Sequence, residues 1–351
     1  MSDRYALLRT LLLCAFSLSS LARADVLVGD FSGGDAAVAH PILRFSDSAD
    51  GNMAPGGGFT TDLAGLRLLT PFHLTYEPVE NVVYVADFYG QAILVYAENA
   101  NRNTAPLRTL GSPSFGQPRK VAISTEHDEL FAAVSGCCLA AYPRTASGNN
   151  VAALRFIQWG GSNGSVTRLN NPTGPVLRKV DDTLIVADYK QNPDNSYSGV
   201  LLAFDRGASG NAAPVSSIEG DLTKLGSSAI GPAYDEVHDE IFVVGFDNST
   251  STYRILSFAG TASGNTPPQR SIEGAAAGLG GVTDITYDSD SETIYISEGG
   301  YNGFDAKVLA FPRPADGNVA PARIIAGANT MIGYPLGIAV TPSHIFKDGF
   351  E

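Results

Sequence analysis

Asp30, Asp87, Asp188 and Glu298 each close a short apolar run, and His73, Lys120 and Asp284 open runs of another matched set. Carboxylate oxygens with one imidazole are the donors that a calcium ion or another divalent metal accepts. If the fold gathers these positions at one opening, His73, Asp30, Asp87, Asp188, Asp284 and Glu298 form a candidate metal site, with His40 a possible neighbour of His73. The competing reading is local, because an Asp at a strand end commonly accepts hydrogen bonds from the backbone of the next turn. Not every repeat keeps the pattern: Val134 and Gly245 stand where the other runs end in a carboxylate, and Gly174, Gly231 and Gly337 stand where His73, Lys120 and Asp284 do.

Cys137 and Cys138 are adjacent, and the third cysteine, Cys14, lies in an N-terminal leader. In an oxidising compartment the pair would form a vicinal disulfide, a rigid apolar stud at a loop. Neighbouring Cα atoms are only about 3.8 Å apart, so such a bond would be strained and comparatively reducible. The alternative is two small buried thiols. Trp159, the sole tryptophan, and Tyr189 open two long variable segments, "WGGSNGSVTRLNNP" and "YKQNPDNSYSG". With Lys120, Cys137 and Cys138 they are the candidate contacts for a small ligand or a protein partner. No G-x-S-x-G, H-E-x-x-H or phosphate loop occurs, so no catalytic residue is assigned. His127 and His238 fall among acids such as Glu77, Glu126, Asp235 and Asp288, a pattern that reads as a solvated rim.

The elements that must position these residues are written as a repeat. An aromatic at Phe45, Tyr96, Tyr142, Phe204, Phe258 and Phe311 is followed seven residues later by Asn52, Asn103, Asn149, Asn211, Asn265 and Asn318, each preceded at three residues by an alanine. The asparagines lie 51, 46, 62, 54 and 53 residues apart, so the period is near fifty. Each unit carries four short runs rich in β-branched and aromatic residues, for example "HLTYE", "VVYVAD", "ILVY" and "PLRTL" in residues 73–110. Bounded by Gly, Pro, Asn and Asp, these read as strands, and six units of four antiparallel strands predict an all-β, six-bladed β-propeller. The asparagine is expected to hold the left-handed backbone of the connection between third and fourth strands, and the proline after it to open an edge strand.

The chain begins on a second-type strand, "VLVGDF" 26–31, and ends on an inner one, "LGIAV" 336–340. The last blade is therefore expected to be closed by the N- and C-terminal strands together, leaving no loose edge. Residues 1–24, with Arg4 and Arg9 before "LLLCAFSLSSLA" and a terminal "ARA", read as a signal peptide, so the protein is expected to be secreted, to the periplasm or beyond the cell. The propeller is then 25–344 and 345–351 a C-terminal tail. The net charge is −13, and about −15 without the leader, which argues against nucleic acid. No second apolar run suggests a membrane span, and the chain is expected to be a monomer.

An inner strand like "GIAV", then "IYVAD", then "ILVY" and a "GN.AP.R" turn resembles the NHL and SMP-30-like group of six-bladed propellers, across residues 26–340. That group includes binding modules, lactonase-type hydrolases and a metal-dependent lyase. The hydrolases carry Glu, Asn and Asp ligands in the central channel, and no full set of those motifs maps here. The resemblance therefore implies the fold and two functions: a module binding a partner or small ligand on the variable-loop face, or a metal-dependent, lactonase-like hydrolase using the carboxylate ring.

Overall fold

The computed structural model describes residues 24–31, 39–111, 116–158, 166–300 and 305–341. Residues 1–23 of the expected signal peptide, Trp159 and the tail 345–351 lie outside the described residues. Six antiparallel sheets stand around a central channel, each running from an inner to an outer strand. The inner strands of blades 1 to 6 are Pro71–Glu77, Pro118–Ser124, Gly174–Arg178, Ser228–Asp235, Val282–Asp288 and Pro335–Thr341. Second strands such as Val82–Asp87 and Glu129–Val134 are buried at every residue, which is why they read as continuous apolar runs. The faces of adjacent blades meet in apolar layers, for instance Val82, Tyr84 and Val95 of blade 1 with Val121 and Leu130 of blade 2.

Blade 6 is closed as expected. Pro335–Thr341 pairs antiparallel with Asp25–Asp30, in register Val26 with Val340 and Val28 with Ile338. Ile42–Ser46 and Gly57–Thr60 complete that sheet outward.

The repeated asparagine does something other than the sequence suggests. The residue with positive φ is the one before it: Gly51 (72°), Arg102 (59°), Gly148 (119°), Gly210 (65°), Gly264 (72°) and Gly317 (74°). Glycine suits that conformation because it has no Cβ to crowd the carbonyl. The asparagine side chain instead reaches the linker that joins the preceding blade's outer strand to its own blade. Asn265 Oδ1 accepts from Leu222 N (2.8 Å), Asn318 Oδ1 from Ala276 N (2.7 Å) and Asn52 Oδ1 from Asn329 N (2.7 Å). Asn103 and Asn211 accept likewise from Asp62 N and Val166 N, both at 2.9 Å. Beside each hook the connection pairs in parallel with the outer strand of the preceding blade, Gly51 with Ile325, Gly210 with Ile157, Gly264 with Ile218 and Gly317 with Ile272. Two-residue strands do the same at Arg102–Asn103 and Gly148–Asn149. The phrase is thus an interblade stitch made six times around the ring. Asn265→Ala and Asn265→Gly should therefore cost alike, about 1 kcal/mol each in denaturant unfolding. A tolerated glycine would restore the backbone explanation.

Candidate functional site

Six residues at the mouths of the inner strands face the channel: His73, Lys120, Gly174, Gly231, Asp284 and Gly337. Gly174 makes room for the Lys120 side chain, and Gly337 lets the neighbouring inner strand approach closely. A Cβ at Gly174 would lie 2.3 Å from Lys120 Cδ, and one at Gly337 2.7 Å from His73 Cα. Lys120 in blade 2 therefore crosses to the opposite blade, where its Nζ donates to Asp284 Oδ1 (3.0 Å) and to the Ile285 carbonyl (3.2 Å). His73 Nδ1 lies 2.5 Å from Asp284 Oδ2. An ionised carboxylate only accepts, so the proton sits on Nδ1. Asp284 also accepts from Ile285 N (2.9 Å) and, across a blade boundary, from Ile338 N (3.2 Å).

All three side chains are buried, at 4–5% exposure. Burial pulls the His73 imidazole below the ordinary histidine value, with the Lys120 charge acting the same way against the pull of Asp284, so the ring is neutral. Burial alone would raise the Asp284 carboxyl, but His73, Lys120 and the Ile285 N–H together hold it below the usual carboxylate range. The plug across the channel is thus an ion pair with a neutral imidazole attached.

Above the plug, toward the variable loops, opens a cavity of about 370 Å³, lined among others by Phe72, Arg119, Tyr189, Tyr334, His73 and Lys120. Its shape depends on β-bulges. In blades 1, 2 and 5 the first residue of the inner strand and the third pair with successive residues of the second strand, leaving Phe72, Arg119 and Thr283 as extra residues. A bulge breaks the alternation of faces, so consecutive residues both reach the channel wall. Phe72 with His73, and Arg119 with Lys120, enter the site in this way.

Arg119 sits over the Phe72 ring, 5.9 Å from Cζ to centroid. Its Nε is buried and has no hydrogen-bond partner. Burial pulls the guanidinium below its ordinary range, opposed by the nearby Tyr189 and Asp188 side chains. Further out, Phe72 stacks on Phe88 (5.0 Å), Phe88 meets Tyr89 edge-on (5.3 Å), and Tyr89 lies 6.0 Å from Phe31. His40 packs on that Phe31 ring. The result is an aromatic stripe running from the cavity across the same face.

The other carboxylates of the sequence pattern are spread around the ring, in blades 6, 1, 3 and 5. Each fastens the loop that enters its own blade. Asp30 Oδ1 accepts from Gly333 N and Tyr334 N, both at 2.8 Å. Asp87 accepts from Leu69, Thr70 and Gly90 N, and Asp188 from Asn170, Asn171 and Tyr189 N. Glu298 accepts from Gly280 N (2.9 Å) and pairs with Lys307 (3.1 Å). Burial pushes Asp188 up to about 6 against these donors. Among the described residues, no three His, Cys, Asp or Glu side chains form a group that could hold a metal ion.

Cys137 and Cys138 are joined by a disulfide, in the turn between the second and third strands of blade 2. Cys138 is buried and Cys137 exposed on the variable face. The turn connects to the cavity through one side chain: Gly136 N donates to Asn171 Oδ1 (2.9 Å), and Asn171 Nδ2 donates to the Tyr189 hydroxyl (3.1 Å). Of the residues singled out by sequence, His73, Lys120, Asp284 and Tyr189 thus meet at one cavity, and the turn carrying the cysteine pair is tied to Tyr189 through Asn171. Phe72, Arg119 and Tyr334 were not singled out.

No protein-family model matches the chain, and no curated protein matches it. Solved structures do. A chain of the nidogen/laminin complex aligns with a TM-score of 0.60 at 14% identity, covering 91% of this chain and 99% of that one. The periplasmic gluconolactonase PpgL of Pseudomonas aeruginosa aligns with a TM-score of 0.57 at 10% identity, covering 92% and 99%. At such identities the likeness is one of fold, and the chain is a six-bladed β-propeller.

Proposed function

We propose that this protein is an exported binding module that takes a small ligand in the variable-face mouth of its channel, in the manner of the NHL and SMP-30-like propellers that its repeat resembles. The observation that carries the reading is the aromatic-walled cavity of about 370 Å³, closed below by the buried Lys120–Asp284–His73 plug. A concave, largely apolar site with a few converging polar groups is what small-molecule recognition requires. The wider cavity on the opposite face, about 480 Å³, is bordered by short turns such as those around Glu77 and Ser289, which offer less for specificity. Among proteins of this fold, one solved structure is a complex, nidogen with laminin, and another is a gluconolactonase.

The hydrolase reading has one support of its own. A carboxylate that fixes Nδ1–H leaves the other nitrogen of a neutral imidazole as a base, and His73 lines the cavity. A ligand screen by thermal shift, run beside a lactone hydrolysis screen with and without chelator, separates the two. Binding should raise the wild-type melting temperature, and Phe72→Ala should abolish the rise while Ser289→Ala leaves it. Lactone hydrolysis that chelator removes would replace the binding reading with the metal-dependent one.

A further inference from the structure

We infer that the variable-face cavity recognises a small organic carboxylate, whose charged group pairs with Arg119 and whose body packs on Phe72 and Tyr334. The inference rests on the cavity being a ligand site and names the ligand's chemistry. Arg119 stands apart from the other half-buried arginines. Arg44 pairs with Asp25 and Glu98, Arg155 with Glu129, and Arg178 with Asp239. Arg119 forms no hydrogen bond or ion pair among the described residues, although the chain carries an excess of acids.

The other charges at the cavity are committed. Lys120 is held by Asp284 and the Ile285 carbonyl, and His73 by Asp284. Asp188 lies close enough to act on Arg119 through space, but its oxygens take three backbone N–H groups. The Arg119 Nε–H is removed from water without an acceptor, which is unfavourable, and a ligand that brings an acceptor relieves the cost. The planar fork of arginine matches the two oxygens of a carboxylate. The Tyr189 hydroxyl accepts from Asn171, which leaves its own proton to donate into the same space. With Asp188 nearby, one guanidinium balances a monoanion better than a phosphate dianion. Phe72, Tyr334, Leu336, Ile230 and Val282 make the remaining wall largely apolar, which suits a carboxylate on a flat hydrocarbon body.

The test is titration of the full chain, by calorimetry, with benzoate, benzamide, aliphatic monocarboxylates and inorganic phosphate. A carboxylate should bind, its amide should bind at least about ten-fold more weakly, and Arg119→Met should lose a similar factor, as expected when a charged hydrogen bond is removed. The free Arg119→Met variant should melt at or above the wild-type temperature, because it removes a buried donor that has no acceptor. Carboxylate and amide binding alike, or Arg119→Met binding as wild type, would overturn the assignment of Arg119. If Phe72→Ala still weakened that binding, the cavity would stand as a ligand site without it. If Phe72→Ala changed nothing, both readings would fall. Phosphate binding more tightly than any carboxylate, or no carboxylate binding at millimolar concentration, would overturn the carboxylate.

Discussion

A chain ending at residue 334 should fail to reach the native fold. Truncation there removes Pro335–Thr341, the inner strand of blade 6 and the partner of Asp25–Asp30 along its length. Ile338 and Ala339 are buried at 0% and 2% exposure. Ile338 packs in a layer with Val26, Val28 and Tyr295, which joins blade 6 to blade 5. Each fully buried large aliphatic side chain contributes roughly 1.5–3 kcal/mol, and the ladder hydrogen bonds add about 1 kcal/mol apiece. Together these approach the whole stability of a typical domain, about 5–15 kcal/mol. The stripped edge would also expose unpaired N–H and C=O groups to other chains. Circular dichroism should show no cooperative melt, and size exclusion should show aggregates. Residues 335–351 added as a separate peptide should restore both. A truncated protein that melts like the full chain would mean that the ring closes elsewhere.

That closure was readable from strand order alone, because a chain starting on a second strand and ending on an inner one has a single way to complete its last blade. The fold was readable for a similar reason, since six repeats of one motif fix blade number without any tertiary information. The motif's purpose was misread. A constant spacing shows that Asn265 is constrained, but its partner, the Leu222 N–H, lies 43 residues away on the linker from the preceding blade. Nothing local distinguishes a side chain that hooks a neighbour from a backbone that needs a positive φ.

The candidate site was legible only in part, and the bulges explain which part. Aligning inner strands places His73, Lys120 and Asp284 in one layer, and the fold brings them together. Alternation would point Phe72 and Arg119 away from that layer, and it fails where an extra residue interrupts the ladder. The carboxylates at Asp30, Asp87, Asp188 and Glu298 are likewise equivalent by sequence, yet equivalence in a rotationally repeated fold spreads residues around the ring. Only inner-strand positions are close enough to the axis to meet, and there the absence of a side chain at Gly174 leaves space for Lys120 to cross the channel.

Asp284→Ala should be the most damaging single side-chain change in the channel. It leaves the Lys120 ammonium, 6% exposed, with the Ile285 carbonyl alone, and it takes an acceptor from His73, Ile285 N and Ile338 N. Breaking a buried ion pair from one side costs about 3–5 kcal/mol, whereas removing both charges costs less. The double variant Lys120→Met with Asp284→Leu should therefore recover much of the loss, a coupling read from a double-mutant cycle. The same plug carries a pH signature. His73 has a lower pKa folded than unfolded, so below about 6.5 the unfolded chain takes up a proton that the native ring refuses. Its contribution is complete above that pH and declines as pH falls through it. Asp188, raised to about 6 by burial, acts in the opposite sense, gaining stability as pH falls through that value. The informative quantity is thus the difference between wild type and His73→Gln, measured by denaturant unfolding from pH 8 to 5. Wild type should lose stability relative to the variant on acidification. Parallel pH profiles, or additive effects in the Lys120 and Asp284 cycle, would show that the three side chains do not act as one buried unit.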